Sequence, residues 1–385
     1  MLVIAGKRAS NLLLYILMLV LGLYLSTYQN YNQYLSAAFN LTGSGMGLLI
    51  NLHFLGSFTL PLIFGRLSDR FAKKTMLVIA YVIFLSGLIM ILATKSSTLL
   101  AISILIIGGS FAALEGIGTA ILADTNDDSG RIINLSQAFF CGGAAIGPIA
   151  SEKMFFLTGD YKTVYIAFSV LIACMALASI LVIPSKVSKL AEHAQSAKPK
   201  LKSGILWLMI FIMVIYVGIE EGYAFWTTTF IHQQTAWPGA GYLALSVYWF
   251  AMGIGRLLAS RTKSKQLTGT MISVACSIPV VLLLTQVQLS AAVLFLCFAL
   301  IGFLLSTLWP AVMFQAARAF PTRTGTALGT MMSASALGGA AIPLAVGIVT
   351  DLYSVKIAFY LLMILSAGLI VLIMSLHQGL KKKRR

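Results

Sequence analysis

The stretch Gly65-Arg66-Leu67-Ser68-Asp69-Arg70-Phe71-Ala72-Lys73-Lys74 is a short, highly charged link between two long apolar segments. The apolar segment before it covers residues 43–64, and the one after it covers residues 75–94. About 20 apolar residues are enough for an α-helix to cross the ~30 Å hydrocarbon core of a bilayer. The stretch therefore predicts two membrane-spanning helices joined by a tight charged loop.

The same alternation of apolar segments and polar links continues along the 385-residue chain, of which 59% is apolar and 10% is charged. Soluble domains carry about 25% charged residues, so this composition indicates an integral membrane protein. Because lipid cannot hydrogen-bond to open backbone groups, the spanning segments must be helices. We predict twelve of them, at residues 11–38, 43–64, 75–94, 98–123, 131–157, 161–183, 204–234, 239–260, 267–287, 290–317, 323–350 and 355–378.

The basic residues are divided unevenly between alternate links. Of the 27 Lys and Arg residues, 23 fall on one side, and the other four are Lys95, Lys153, Lys162 and Lys356. An excess of Lys and Arg marks cytoplasmic loops, so we predict a multi-pass protein of the cytoplasmic (inner) membrane with both termini in the cytoplasm. This interpretation places every Lys and Arg in a link or at a helix end, so none lies deep enough in an apolar segment to neutralise a buried acid. The net charge of +16 then reflects loops that face anionic lipid rather than binding of nucleic acid.

Two short motifs recur at a nearly constant offset, which indicates an internal duplication. Gly142-Gly-Ala-Ala-Ile146 recurs as Gly338-Gly-Ala-Ala-Ile342, and Gly65-Arg66-Leu67 recurs as Gly255-Arg256-Leu257. Duplicated halves are typical of transporters whose substrate site lies between the halves, near the bilayer midplane. We predict an N-terminal six-helix bundle at residues 1–183, a cytoplasmic linker at 184–203, and a C-terminal six-helix bundle with a basic tail at 204–385.

Three acidic residues, Glu115, Glu220 and Glu221, lie well inside apolar segments. A carboxyl group at that depth is costly and is a candidate functional group. Removal from water disfavours its charged form, so Glu115 and Glu220 are candidate proton-coupling residues. Neighbouring residues of a helix point about 100° apart, so we expect only one of Glu220 and Glu221 to face a cavity. Glu220 is favoured because it shares a polar stripe with Tyr216, Tyr223 and Thr227.

Polar and aromatic residues inside the apolar segments are candidate contacts for a substrate, because binding pockets are mostly apolar with a few placed polar groups. His53 is a separate case: it either titrates within the membrane or is simply a hydrogen-bonded core residue. The candidate substrate contacts are Tyr24 and Gln29 in the first helix, Tyr223 and Trp226 in the seventh, Trp249 in the eighth and Trp309 in the tenth.

The link from Gly65 to Lys74 closely resembles the signature loop of the major facilitator superfamily, which has Gly, Asp, Arg and a basic pair at these spacings. With twelve helices and duplicated halves, the chain is identified as a member, an all-α membrane protein of two pseudo-symmetric six-helix bundles. In physical terms the loop is a latch, because Asp69 can bind a helix N-terminus or an Arg when the cytoplasmic side is closed. The expected gating residues are Gly65, Asp69, Arg70 and Arg323.

Within that superfamily the chain resembles the fucose–proton symporter family. The matching stretches are Ala38-Phe39-Asn40-Leu41-Thr42, Leu114-Glu115, Asn134-Leu-Ser-Gln137-Ala-Phe139 and Tyr216-Val217-Gly218. The resemblance implies that Glu115 is protonatable and that Gln137 contacts the substrate. The chain departs from that family at Gln29, where the family has its helix 1 aspartate, and at Phe140, where it has a second sugar-binding amide. Because these positions correspond to functional ones in the family, Phe140 joins Gln29 as a candidate substrate contact.

The sequence contains no phosphate-binding loop, metal cluster or nucleophile triad, so we expect neither an enzyme nor a cofactor. We predict a secondary active transporter that moves a sugar or similar polar solute into the cell with protons, by alternating access. The alternative is proton-driven efflux of drugs or cationic amphiphiles, because buried acids without a basic partner and aromatic residues suit a cationic substrate equally well. Gly143-Ala-Ala-Ile-Gly147-Pro148 also resembles part of a drug–proton antiporter motif. The expected partners are a small-molecule substrate, protons and the bilayer, and we expect a monomer.

Overall fold

The computed structural model describes residues 2–41, 43–184, 203–237, 239–261, 266–286 and 288–382. The predicted linker lies outside the described residues except for its two ends, and so do the last three residues of the basic tail. Within the described ranges the regular elements are all α-helices. In chain order they are α1 (Leu2–Ala38), α2 (Gly43–Arg70), α3 (Lys73–Ala93), α4 (Ser97–Thr125), α5 (Ser129–Thr158), α6 (Lys162–Val182), α7 (Ser203–Gln234), α8 (Ala240–Ala259), α9 (Gln266–Gln286), α10 (Ala291–Leu305), α11 (Leu308–Ala319), α12 (Thr324–Leu352) and α13 (Val355–Lys382).

These helices confirm the prediction of a multi-pass membrane protein. Eleven helical stretches of the described chain are long and apolar enough to cross a membrane when α10 and α11 count as one, and a shorter apolar helix covers Ile272–Gln286. Two helices differ from the prediction by more than four residues at one end. α1 starts nine residues earlier, and α2 continues to Arg70, so the charged stretch is mostly helical and only Phe71 and Ala72 separate α2 from α3.

The tenth predicted helix, at 290–317, is interrupted, because α10 ends at Leu305 and α11 begins at Leu308. Pro310 supplies the reason. It has no backbone N–H to donate to the carbonyl of Ser306, four residues earlier. Side chains of other helices supply the missing donors: Arg256 Nε donates to Ser306 O at 3.1 Å, and Tyr216 Oη donates to Leu305 O at 2.8 Å. The interruption is therefore held open by hydrogen bonds from α7 and α8.

Glycines allow equivalent helix pairs to pack closely in the two halves, α1 with α5 and α7 with α12. A Cβ atom on Gly143 would overlap the carbonyl oxygen of Leu19, and one on Gly338 would overlap that of Val214. The packing thus equates Gly143 with Gly338, one residue away from the match of Gly142 with Gly338 that the motifs suggested. The two halves meet along two further pairs, α2 with α12 and α5 with α8.

Candidate functional site

A cavity of about 60 Å³ lies between the two halves, and all three buried acids border it. Glu115 reaches it from α4, and Glu220 and Glu221 both reach it from α7. The expectation that only one of the two neighbouring glutamates faces the cavity is therefore wrong. Both fit because the cavity lies in the angle between them: Glu220 extends toward Arg256 on α8, and Glu221 extends toward Gln29 on α1.

Arg256 also borders this cavity and is only 2% exposed. Its Nη2 atom lies 2.8 Å from Glu220 Oε1, and its Nη1 donates to Gln137 Oε1 at 2.9 Å. Arg256 lies in the last turn of α8, as the prediction of basic residues at helix ends requires, but the inference that no cation neutralises the buried acids is wrong. The motif match to Arg66 was misleading, because Arg66 is exposed whereas Arg256 has buried partners for its charge and its donors.

Gln137 joins two of the acids into one series of hydrogen bonds. Its Nε2 donates to Glu115 Oε1 at 3.1 Å while its Oε1 accepts from Arg256. Glu115, Gln137, Arg256 and Glu220 thus form a continuous buried series, here called the polar chain. Because Glu115 and Gln137 belong to the first half and Arg256 and Glu220 to the second, the polar chain crosses the interface at which the halves meet.

A second connection between the halves runs through Gln29. Its Nε2 donates to Glu221 Oε2 at 2.8 Å, and its Oε1 accepts from Trp249 Nε1 at 3.3 Å. An amide at this position provides a donor to Glu221 without adding another charge. This places Gln29 next to the cavity by its contacts, although its side chain is not part of the cavity wall.

The candidate substrate residues divide into two groups. Gln137, Phe140, Trp249 and Trp309 border the cavity. Tyr24, Tyr223 and Trp226 lie away from it: Tyr24 packs edge-on against Phe84 and Phe168, Tyr223 against Phe359, and Trp226 Nε1 donates to Pro343 O. Helix geometry explains Trp226, which points about 240° from Glu220 and about 140° from Glu221. It does not explain Tyr223, which points only about 60° from Glu220 but packs against α13. The polar stripe that we expected to face the cavity therefore does not do so at Tyr223.

Asp69 caps the N-terminus of α12. Its Oδ1 accepts from the backbone N–H of Gly325 at 2.9 Å, and its Oδ2 accepts from the backbone N–H and the hydroxyl of Thr326 at 2.8 and 2.6 Å. Gly65 makes this approach possible, because a Cβ atom there would lie 2.5 Å from the carbonyl oxygen of Gly325. The end of the bundle that contains Asp69 is here called the latch side.

The cation beside Asp69 is Lys73 rather than the expected Arg323. Lys73 Nζ lies 3.8 Å from Asp69 and 3.0 Å from Asp124 on α4. Arg323 occupies the position just before α12, where its side chain is exposed, and Arg70 is exposed at the end of α2. Within the part of the chain that the structure describes, neither arginine forms an ion pair with Asp69. A backbone helix terminus, rather than an arginine, is therefore the main partner of this carboxylate.

Comparison with known proteins gives one family and one fold. A sequence model of the Major Facilitator Superfamily matches residues 12–292. The glucose/mannose transporter GlcP of Bacillus subtilis (strain 168) is 21% identical over 333 residues, which are 82% of this chain and 81% of that protein. The human organic anion transporter MFSD10 has a similar structure, with a TM-score of 0.79 at 16% identity over 95% of this chain and 99% of that one. The transporter FucP in its outward conformation gives a TM-score of 0.73 at 17% identity over the same shares. A second structure, of the E. coli fucose:proton symporter FucP, gives a TM-score of 0.72 at 15% identity over those shares.

Proposed function

This chain belongs to the major facilitator superfamily, and we propose that it takes up a sugar or a similar polar solute together with protons, by alternating access. Its family and its relatives are transporters of small molecules rather than enzymes. A glucose/mannose transporter and a fucose:proton symporter are among the similar proteins, and they support a sugar as the solute and a proton as the coupled ion.

The observation that carries the proposal is the polar chain between the halves. A cavity of about 60 Å³ holds a few waters and is far below the roughly 300–1,000 Å³ of ordinary ligand pockets. A solute can enter only if the halves separate on one side. Such a movement has to break or rearrange the hydrogen bond between Gln137 and Arg256, which is the bond of the polar chain that crosses between the halves. We therefore propose that the protonation and hydrogen bonding of the polar chain control the movement of the halves.

We assign different tasks to the two candidate proton-coupling residues. Glu220 lies 2.8 Å from the buried Arg256, and neutralising it would leave a buried cation without its counter-charge, which is costly. Glu115 instead accepts a hydrogen bond from the neutral amide of Gln137, so it can gain a proton without exposing a buried charge. We therefore propose Glu115 as the proton carrier and Glu220 as the fixed partner of Arg256.

Gln137 provides a simple route from solute binding to the proton. Both ends of its amide are already in hydrogen bonds, one with Glu115 and one with Arg256. A solute hydroxyl that replaces either bond changes the surroundings of Glu115 directly. Phe140, Trp249 and Trp309 supply apolar faces on which a sugar ring can rest. The efflux alternative assumed unneutralised acids that attract a cation, and Arg256 neutralises one of them.

The orientation is also part of the proposal. We propose that the latch side and both termini face the cytoplasm, because 23 of the 27 basic residues were assigned to that side and the burial of Arg256 changes this balance little. The protein would then act as a monomer in the cytoplasmic (inner) membrane.

The test compares Glu115→Gln with wild type in proteoliposomes that carry an inward proton gradient. We expect the variant to lose uphill accumulation of labelled D-glucose, D-mannose or L-fucose but to keep exchange of the same sugar, which needs no net proton movement. Glu152→Gln is the matched control, because Glu152 accepts hydrogen bonds from Asn30 and Tyr34 and does not border the cavity. If Glu115→Gln still accumulates sugar uphill with wild-type pH dependence, the coupling role of Glu115 is disproved. If the wild-type protein transports none of the three sugars, the proposed class of solute is disproved.

A further inference from the structure

His53 on α2 borders the central cavity, and both nitrogens of its ring lack a hydrogen-bond partner within the described structure. The residue is 1% exposed, so bulk water does not satisfy these atoms. A buried donor or acceptor that is left unpaired costs about 1–3 kcal/mol. Nearly all buried polar groups in proteins have partners, so one that has none calls for an explanation.

The neighbours of His53 hold its ring in place without pairing its nitrogens. The ring stacks on Tyr28 with centroids 4.8 Å apart, and it contacts Phe111 at 5.7 Å and Phe54 at 5.8 Å. The nearby hydroxyl of Ser57 donates to the carbonyl oxygens of His53 and Gly108, and is therefore already engaged with the backbone. The cavity is the direction from which a partner can come.

The chemistry of the ring indicates what that partner is. A neutral imidazole carries one donor and one acceptor. A hydroxyl group offers the same pair, so a sugar hydroxyl can either donate to one ring nitrogen or accept from the other. Because the two nitrogens point away from each other, one hydroxyl pairs with one nitrogen at a time. Aromatic side chains around the ring suit the apolar faces of the same molecule. A purely apolar solute would leave both nitrogens unpaired.

We propose that His53 is a specificity residue that hydrogen-bonds a hydroxyl group of the transported solute from the wall formed by the first half. This inference rests on the proposed sugar transport and deepens it, because it names the group of the solute that is recognised. Arg256 and Glu220 lie on the wall formed by the second half, so a bound sugar would contact polar groups of both halves.

The experiment uses purified full-length protein and two measurements. The first is the unfolding temperature without solute, for wild type, His53→Phe, His53→Gln and the control His232→Phe, an exposed histidine near the end of α7. The second is the binding of D-glucose, D-mannose, L-fucose and their monodeoxy derivatives, followed by tryptophan fluorescence. We expect His53→Phe to unfold no earlier than wild type, because it removes two unpaired groups.

In binding, we expect His53→Phe to weaken the affinity for the preferred sugar about tenfold, the size of one lost hydrogen bond. One monodeoxy derivative should bind wild type about tenfold more weakly than its parent sugar but bind His53→Phe equally well. His53→Gln, which keeps a donor and an acceptor, should recover part of the affinity.

Three other results would overturn either the role of His53 or the proposed function. Earlier unfolding of His53→Phe, with His232→Phe unchanged, would show that His53 has a structural partner. Unchanged sugar affinity in His53→Phe would reject the inference and leave the proposed function standing. Absence of binding of every sugar to wild type would reject the proposed function, and the inference with it.

Discussion

Replacing Asp69 by Asn should open the latch side of the protein. The carboxylate accepts three hydrogen bonds at the start of α12, two from backbone N–H groups and one from the hydroxyl of Thr326. An Asn side chain has one oxygen, so it can keep one backbone bond while its NH₂ group faces the donor of another. The negative charge at the helix N-terminus is also lost, which alone is worth about 0.3–1 kcal/mol.

The size of the effect follows from these contacts. Hydrogen bonds to charged groups contribute about 1.5–3 kcal/mol each, against about 0.5–1.5 for neutral ones. Losing one bond and weakening the others should therefore destabilise the closed latch by about 2–4 kcal/mol, which is about a 30- to 700-fold change in the closed-to-open ratio. If about 1% of wild-type molecules are open on this side, then about 20–90% of the variant should be open.

Spin labels can measure this shift directly. Arg66 on α2 and Arg318 on α11 are both exposed on the latch side and belong to different halves. Labels at these positions, in a background without the four native cysteines, should report a second, longer distance in Asp69→Asn. Sugar uptake should slow, although Asp69 does not border the cavity.

The matched control is Asp128→Asn. Asp128 accepts a hydrogen bond from the backbone N–H of Arg131 and caps the N-terminus of α5. It therefore makes the same kind of contact on the latch side, but within the first half rather than between the halves. Its distance distribution should equal that of wild type. A distribution in Asp69→Asn that also equals wild type would refute the gating role, whatever happens to transport.

Three more predictions follow from the packing and the charges. Gly143→Val should abolish stable expression by forcing α5 away from α1, whereas Gly142→Val should be tolerated, because a Cβ atom there meets nothing within 4 Å; the amount of monodisperse protein in detergent distinguishes them. Arg256→Met should lower the free energy of unfolding by about 3–5 kcal/mol, since it leaves Glu220 as an uncompensated buried charge. Thermal unfolding at neutral pH measures this, and a midpoint equal to that of wild type would contradict it. A cysteine at position 160 should react with an impermeant reagent in intact cells and one at position 127 should not, because they lie beyond opposite ends of α5; the reverse pattern would invert the proposed orientation.

The spanning helices were predictable because the thickness of the bilayer sets their length. The predicted segments 98–123 and 161–183 match α4 and α6 to within two residues at each end. The all-helical, two-bundle architecture likewise followed from the apolar pattern and the repeat. The approach of Asp69 to the start of α12 was anticipated from the charge of a helix end, although the residues that meet it are Gly325 and Thr326 rather than Arg323.

The parts that could not be predicted depend on tertiary partners. Arg256 lies only a few residues before the end of α8, so its position in the sequence fits an exposed helix end as well as a buried site. Its burial depends on Glu220 and Gln137, which lie on other helices and pair with it. Tyr223 shares a helical stripe with Glu220, yet the position of α13 decides what it contacts. The sequence does contain one signal for the interruption of the tenth predicted helix: Pro310 is typical of the first turn of a new helix.

The interruption between α10 and α11 also constrains how this protein can diverge from its ancestors. The carbonyl of Ser306 receives its hydrogen bond from Arg256 because Pro310 cannot provide one. A lineage that loses Arg256 must therefore replace Pro310 as well, so that a continuous helix can satisfy its own backbone, or accept an unpaired carbonyl inside the membrane. Phe140 and Trp309 are under no such joint restriction. New solute preferences should thus arise at these aromatic positions first, while Arg256 and Pro310 are inherited or lost together.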